Sequence, residues 1–396
     1  MSIDFQLRQQ AVRLRLAGTP VVRICGHLER SRDWFYTWWQ RYLKEGADGL
    51  RDRSRAPQSC PRQLTAEIRQ AIVAIRDRLV HRWGPRARYR LAGAPTIRHE
   101  LDVLGYRPLP SLRTIERILH QTGRTSPPFH LQPTLTRSTY PAPRARCSND
   151  VHQLDIVGPR YLKGSHGRYY FLVYKDVYDH TVYVEFHRAL TLDTVLAFSV
   201  RAWQRLGVPR RLQVDNDHLF AGTGRWPGSL NRFIRLALLV GLELVFIPEG
   251  EPFRNGSVEH FNGWFQERLW TIPLHAPAQV RRELGWLMSV CFHEHVHPHL
   301  GFRTSQQVRR SCQTRRLPAN FKRHQHPLPI AAGKITFIRR VRRSGRITLL
   351  GVKIRVGKRW QGRYVRATLF TRHSSLKIYY AGHLIKQVAY PIRGVT

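Results

Sequence analysis

The chain is 396 residues long, which excludes one small domain and makes two to four domains the expectation. Its 66 Lys and Arg against 26 Asp and Glu leave a net charge of +40 with histidine neutral, an excess that repels itself unless a polyanion neutralises it, so nucleic acid is expected ahead of a membrane surface or an acidic protein. With 42% hydrophobic residues and 10 Trp, disorder is excluded as the reason for the charge. Cys25, Cys60, Cys147, Cys291 and Cys312 are scattered and form no CxxC pair, which argues against a disulfide framework or a zinc ribbon and suits a reducing cytosol. Met1 to Arg8 hold no apolar signal core and no apolar run reaches membrane-spanning length, so a cytoplasmic location is expected.

Three helices are expected over residues 1–47. Leu7, Ala11 and Leu14 share a face, Gly18-Thr-Pro20 interrupts, and Val21, Ile24, Cys25 and Leu28 resume the spacing. Ser31 can cap a third helix carrying Phe35, Trp38, Trp39 and Tyr42 and stopping at Gly46. Arg30, Arg32, Arg41 and Lys44 around it suit a helix-turn-helix module, with the aromatic stripe itself read as core. Gly49 to Pro57 is a basic linker. A second helix-turn-helix or winged-helix module is expected over 63–123: Thr65 precedes Ile68, Ile72, Ile75 and Leu79; Thr96 precedes Ile97, Leu101 and Leu104; Ser111 precedes Ile115, Ile118 and Leu119, with Gly123 as the stop. Its last helix, with Arg113 and Arg117, is the expected base-reading element. Residues 124–148 are rich in Pro and Arg and read as an extended linker.

Over 149–312 strands and helices mix. Val151 to Val157, Tyr169 to Tyr174 and Thr181 to Phe186 predict an antiparallel start. A helix from Thr191 to Leu206, a strand from Arg211 to Val214, a helix from Leu230 to Val240, a strand from Glu243 to Ile247, a helix from Ser257 to Leu269 with Ser257 as its cap, and a helix from Ala278 to His293 follow. The pattern is a multidomain α/β chain with a ribonuclease H-like mixed-sheet core. From 330 to 396, Ile335 to Val341, Ile347 to Val356, Tyr364 to Phe370, Leu376 to Tyr380 and Leu384 to Tyr390 predict a small basic β-barrel.

Three acids stand in this frame. Asp155 falls midway along the first strand, Asp215 follows the fourth, its neighbour in such a sheet, and Glu259 projects from a helix able to pack across them. Singly, an Asp at a strand end serves as a cap and a Glu in a first helical turn complements the dipole. Together, converging carboxylates raise one another's pKa and imply bound divalent cations. Oxygen ligands beside phosphate point to Mg²⁺, with Mn²⁺ as a substitute, and two ions would clamp an in-line displacement. Asn262 and Gln266 share the helical face of Glu259 and are candidate DNA contacts, as are Arg254 and Arg268 for phosphate; plain solvent exposure is the alternative for all four. His293-Glu-His-Val-His297 fits the zinc pattern H-E-x-x-H, but Pro298 follows at once and no third ligand is evident, so a structural or DNA-contacting role for His297 and His299 is preferred.

His152-Gln-Leu-Asp-Ile-Val-Gly-Pro159, Val214-Asp-Asn216 and Asn255-Gly-Ser-Val-Glu-His-Phe-Asn262 resemble the catalytic motifs of bacterial insertion-sequence transposases with a retroviral-integrase-type core. His295 to Thr304 is similar to the stretch that follows the last acid in those enzymes, and Trp83-Gly-Pro-Arg86 and Gly49 to Ser54 to their N-terminal region; the resemblance covers roughly residues 5–310. It implies Asp155, Asp215 and Glu259 as metal ligands, cleavage of element ends and transfer of the 3′ hydroxyl to target DNA. It also implies a homo-oligomer on double-stranded DNA in a bacterial nucleoid, and it leaves an ATPase partner open. Two departures stand out: Asp217 occupies the usual glycine position, as a loop residue or as an added acid beside the metal with Asp215 preferred as the ligand, and Ala221 to Gly228 lengthens the spacing to Glu259, as a lip over DNA or a surface loop. The rival expectation is a DNA-binding regulator or scaffold derived from a transposase, which predicts loss of an acid; none is lost.

Overall fold

The structure, a computed structural model, describes residues 3–53, 64–81, 84–125, 140–222, 225–321 and 328–393. The end of the Gly49 to Pro57 linker, Cys60, Trp83, most of the 124–148 linker and part of the Ala221 to Gly228 segment lie outside the described residues. The chain forms two compact units, Met1–Leu64 and Thr65–Thr396. No described helix is long and apolar enough to cross a membrane.

The first unit holds α1 (Ile3–Leu16), α2 (Val21–His27) and α3 (Arg32–Glu45) around Ala11, Ile24, Leu28 and Phe35. Ser31 caps α3 by accepting from the Trp34 amide, and Gly46, at φ 65°, ends it in the left-handed region that favours glycine. Of the aromatic stripe only Phe35 is fully buried. The Arg8 and Arg41 guanidinium groups lie over Trp38, 3.6 and 4.6 Å from its ring centroid, while Trp39 stacks between Phe35 and Tyr42.

The second unit opens with α4 (Ala66–Val80), α5 (Ala94–Val103) and α6 (Leu112–Gln121), capped by Thr65 at α4 and Ser111 at α6. The periodic positions Ile68, Ile72, Ile75, Leu79, Ile97, Leu101, Ile115, Ile118 and Leu119 are buried, whereas Leu104 is exposed. Thr96 does not open α5; the helix begins at Ala94, where Pro95 pre-sets the first turn. Residues 86–90 then dock on the core. Tyr89 is fully buried, its hydroxyl donates to Glu283 at 2.7 Å, Arg88 joins the same carboxylate at 2.6 Å, and Arg90 pairs with Glu294. Tyr89→Ala is expected to destabilise this unit by about 3–5 kcal/mol and Tyr89→Phe by about 1 kcal/mol, read as unfolding midpoints. Equal midpoints for Tyr89→Ala and wild type would mean that the docking contributes nothing.

The core follows in chain order: β1 (Val151–Arg160), β2 (Tyr169–Asp176), β3 (Val182–His187), α7 (Leu192–Arg205), β4 (Arg211–Val214), α8 (His218–Ala221), α9 (Arg232–Leu239), β5 (Glu243–Phe246), α10 (Gly256–Leu269), α11 (Pro277–His293), β6 (Val296–His297), β7 (Arg303–Thr304) and α12 (Ser305–Arg309). The strands β1, β2 and β3 form an antiparallel meander, and β4 and β5 add in parallel on the far side of β1. The order β3-β2-β1-β4-β5 with these directions is a ribonuclease H-type sheet. Side chains of α7 and α9 cover one face and those of α10 and α11 the other, so alternate strand residues enter two separate cores.

The C-terminal β-rich stretch contains β8 (Lys334–Arg340), β9 (Arg346–Leu349), β10 (Val352–Arg355), β11 (Tyr364–Phe370), β12 (Ser375–Tyr380) and β13 (His383–Ala389). The segment Ile347 to Val356 is a hairpin rather than one strand, because Leu350 (φ 45°) and Gly351 (φ 79°) turn the chain back. The region also differs from a detached barrel: β8 pairs in parallel with β5 and extends the core to a nine-stranded sheet, β13-β12-β11-β8-β5-β4-β1-β2-β3. The physical reason is the β5 edge, whose backbone groups would otherwise lack partners. The β9–β10 hairpin closes over the added strands through Tyr390 donating to the Leu349 carbonyl at 2.8 Å and Lys386 donating to the Arg355 carbonyl at 2.6 Å.

Candidate active site

Strand register brings the first two acids together. β1 and β4 pair as Val151↔Arg211, His152↔Leu212 and Gln153↔Gln213. Carried two residues further, past the end of β4 at Val214, the same register sets Asp155 level with Asp215, and level residues of parallel strands face the same way. That face is the one covered by α10, since Leu154 enters the opposite core and Val173, paired with Asp155, the near one.

A row of side chains across three strands holds the start of α10 over this face. Gln153 accepts from the Val258 amide at 2.9 Å, and Lys175 donates to the Ser257 carbonyl at 2.8 Å. Gln213 donates to the Arg254 carbonyl at 2.9 Å and to Asn255 Oδ1 at 3.2 Å, while Asn255 donates back to the Leu154 carbonyl. These contacts do the work expected of Ser257, which lies inside the helix and caps nothing; α10 has no side-chain cap of its own. The outcome is a fixed first turn from which Glu259 projects. Nothing in the structure explains glycine at Gly256, which has open space about its Cα. The sequence does not single out Gln153, Gln213 or Lys175, although each Gln precedes its Asp by two residues, the spacing of one strand face.

All three acids are half-buried and their carboxyl pKa values are raised. Burial pushes Asp155 up to about 6, and the Asp215 and Glu259 carboxylates add to the rise while the Ile156 amide and Asn262 oppose it. Asp215 is raised by burial and by Asp217, against the Asp217 amide; Glu259 is raised by burial and by Asp215. Among the described residues no three His, Cys, Asp or Glu side chains stand close enough to enclose one ion. Asp217 is a cap: its carboxylate accepts from the Leu219 amide at 2.8 Å and its own amide donates to Asp215 at 3.0 Å.

The candidate DNA contacts divide. Asn262 is 5% exposed and donates to Asp155 Oδ2 at 2.6 Å, so it orients the acid instead of reaching outward. Gln266 accepts from Arg160 at 2.7 Å. Arg254 bonds Glu251 at 2.9 Å and lies 4.0 Å over Tyr140, and Arg268 lies 4.6 Å over Trp264 and donates to its carbonyl. Arg113 and Arg117 are exposed on α6. The H-E-x-x-H run is not a helical pair, because α11 ends at His293; His295 is buried against the Tyr89 carbonyl at 2.8 Å, and the His297 ring lies 4.4 Å from that of His180. The described end of the Ala221 to Gly228 segment is held by the C-terminal strands, through the Gly228 amide to the Leu350 carbonyl at 2.9 Å.

Residues 7–58 match a helix-turn-helix domain family and residues 34–119 a homeodomain-like domain family. A chain of the simian T-cell lymphotropic virus intasome, solved by cryo-electron microscopy with PP2A regulatory subunit B56 gamma, is similar at 19% identity and a TM-score of 0.38, over 68% of this chain and 84% of that one. The HTLV-2 integrase catalytic core domain, solved with magnesium as a dimer, is similar at 18% identity and a TM-score of 0.33, over 42% of this chain and 99% of that one. The protein thus joins an N-terminal helix-turn-helix region to a mixed sheet of ribonuclease H type, the pairing that the resemblance to insertion-sequence transposases calls for.

Proposed function

We propose that the protein is a DDE transposase that cleaves the ends of its own element and joins the freed 3′ hydroxyl to target DNA. The observation that supports this most is that Asp155 on β1, Asp215 just past the end of the neighbouring parallel strand β4, and Glu259 on a clamped helix start lie near enough for Asp215 and Glu259 to raise the Asp155 pKa. The donor set is all oxygen and suits Mg²⁺ or Mn²⁺, held by Asp155, Asp215 and Glu259. Mg²⁺ retains waters and is usually bound by one or two carboxylates plus substrate phosphate, which fits acids that couple electrostatically without enclosing an ion. When bound, divalent cations supply charge neutralisation at the attacking and leaving oxygens. The chain's own residues do the rest: Asn262 orients Asp155, the Gln153, Lys175 and Gln213 row sets Glu259, and exposed Arg113 and Arg117 on α6 read the end sequence. The net charge of +40 favours binding to DNA, and the resemblance to insertion-sequence transposases implies a homo-oligomer that brings two ends together.

The test is cleavage of DNA spanning the borders of the gene, with Mg²⁺, Mn²⁺ or EDTA, by wild type and by Glu259→Gln. Metal-dependent nicking at one position, lost in the variant by about 10²-fold or more with DNA binding kept, is expected. Cleavage unchanged in the variant overturns the proposal, and binding without cleavage by wild type points to a regulator or scaffold.

A further inference from the structure

Asp215 lies just beyond the last residue of β4, Val214, where ladder pairing has ended. What fixes the loop beyond is a closed set of hydrogen bonds. Asn216 Nδ2 and Arg339 Nη1 both donate to the Ile247 carbonyl at 2.7 Å, and Arg339 Nη2 donates to Asn216 Oδ1 at 2.7 Å. Arg339 comes from β8, more than a hundred residues away, in the strand that the C-terminal region adds to the core.

Arg339 is 6% exposed, and its further bonds go to the Ile338 and Thr348 carbonyls. Its nearest carboxylate, Glu249, is 4.0 Å away and half-exposed. A buried guanidinium held mainly by carbonyls is expensive to keep, and an apolar side chain of similar length would be cheaper in a purely structural position. The guanidinium bonds to Asn216, the residue next to Asp215 in the chain, and so holds the loop that carries the acid.

We infer that Arg339 is a positioning residue for the carboxylate site: the C-terminal β region supplies it to lock Asn216, and through Asn216 the direction of Asp215. The inference rests on the reading of Asp215 as a metal ligand. It makes the C-terminal strands part of the reaction centre as well as part of the sheet.

Mn²⁺ binding to the full chain without DNA, followed by electron paramagnetic resonance, tests this beside the Mg²⁺ dependence of end cleavage. Arg339→Met is expected to weaken Mn²⁺ about 10-fold or more, as loss of an outer-shell partner does, with DNA affinity unchanged. Arg339→Lys, with one charge but no fork, is expected to recover only part of the loss. On an Asn216→Ala background Arg339→Met should add little, because the two act as one unit. Wild-type affinity in a folded Arg339→Met protein, or additive losses in the double variant, overturns the inference alone. No Mn²⁺ binding by wild type overturns the reading of Asp215 as well. If Arg339→Met does not fold, Arg339→Lys and Asn216→Ala carry the same comparison.

Discussion

Asp155→Asn is expected to abolish strand cleavage, by about 10²–10³-fold or more, and at the same time to make the metal-free protein more stable at neutral pH. The loss of cleavage follows from the proposed role of Asp155 as a metal ligand, and the gain in stability from its surroundings: burial, with Asp215 and Glu259 adding to it, pushes the Asp155 carboxyl from its ordinary 3.8 up to about 6. A carboxyl whose pKa is higher folded than unfolded stabilises the fold in its protonated form. That contribution is complete below about pH 4 and is lost as the pH rises through about 6. Asparagine cannot ionise, and its side-chain oxygen can still accept the Asn262 hydrogen bond. The variant should therefore melt higher than wild type at pH 7–8, by on the order of 1–3 kcal/mol of stability, and the gap should close towards pH 4. Divalent cations should narrow the gap from the other side, since they neutralise the wild-type acids and find fewer in the variant. Thermal melts across pH with and without Mg²⁺, paired with single-turnover cleavage of a labelled DNA end, read both. A variant less stable than wild type at every pH would mean that Asp155 is a structural partner and not one of a set of repelling acids.

The sequence shows what local patterns carry. Ser31, Thr65, Ser111 and Thr191 are all observed helix caps, and β4 runs from Arg211 to Val214 as expected, because caps and strand ends depend on neighbouring residues. The placing of Asp155 beside Asp215 also follows from pattern, once the first and fourth strands are taken as neighbours. What is not legible is which distant group a polar side chain finds. Gln153 with Val258, Asn262 with Asp155 and Arg339 with Asn216 are each separated by more than a hundred residues. Helical spacing puts Asn262 on the face of Glu259, but it does not say that an acid on β1 waits there. Arg254 shows the same limit, since its pairing with Glu251 three residues earlier is local, whereas nothing local announces that Tyr140 and Tyr364 lie against it. The C-terminal strands are legible as strands, while their attachment to β5 is a matter of edge pairing that alternation does not encode.

A fragment ending at residue 330, which keeps every proposed catalytic acid, is expected not to fold. Leu244, Val245 and Phe246 of β5 pair with Ile335, Thr336 and Phe337 of β8, and Phe246 stacks on Phe337 with ring centroids 5.1 Å apart. Ile335, Phe337, Val365, Leu369, Leu376 and Ile378 belong to the same buried cluster as Leu154, Leu212 and Leu244, so no gap divides a catalytic core from a C-terminal one. Gly333 passes so close to Leu238 on α9 that an added Cβ would come within 2.6 Å of it. Loss of a single buried Phe or Ile costs about 2–5 kcal/mol, against a total stability of roughly 5–15 kcal/mol, and the truncation removes many at once. It also leaves the β5 edge without backbone partners and Asn216 without Arg339. Residues 65–330 should therefore come out insoluble or without a cooperative melt, while 65–396 should melt cooperatively and keep whatever metal affinity the full chain has. A soluble 65–330 fragment with dispersed amide resonances and a sharp transition would show that the added strands only decorate the sheet, and the role assigned to Arg339 would fall with it.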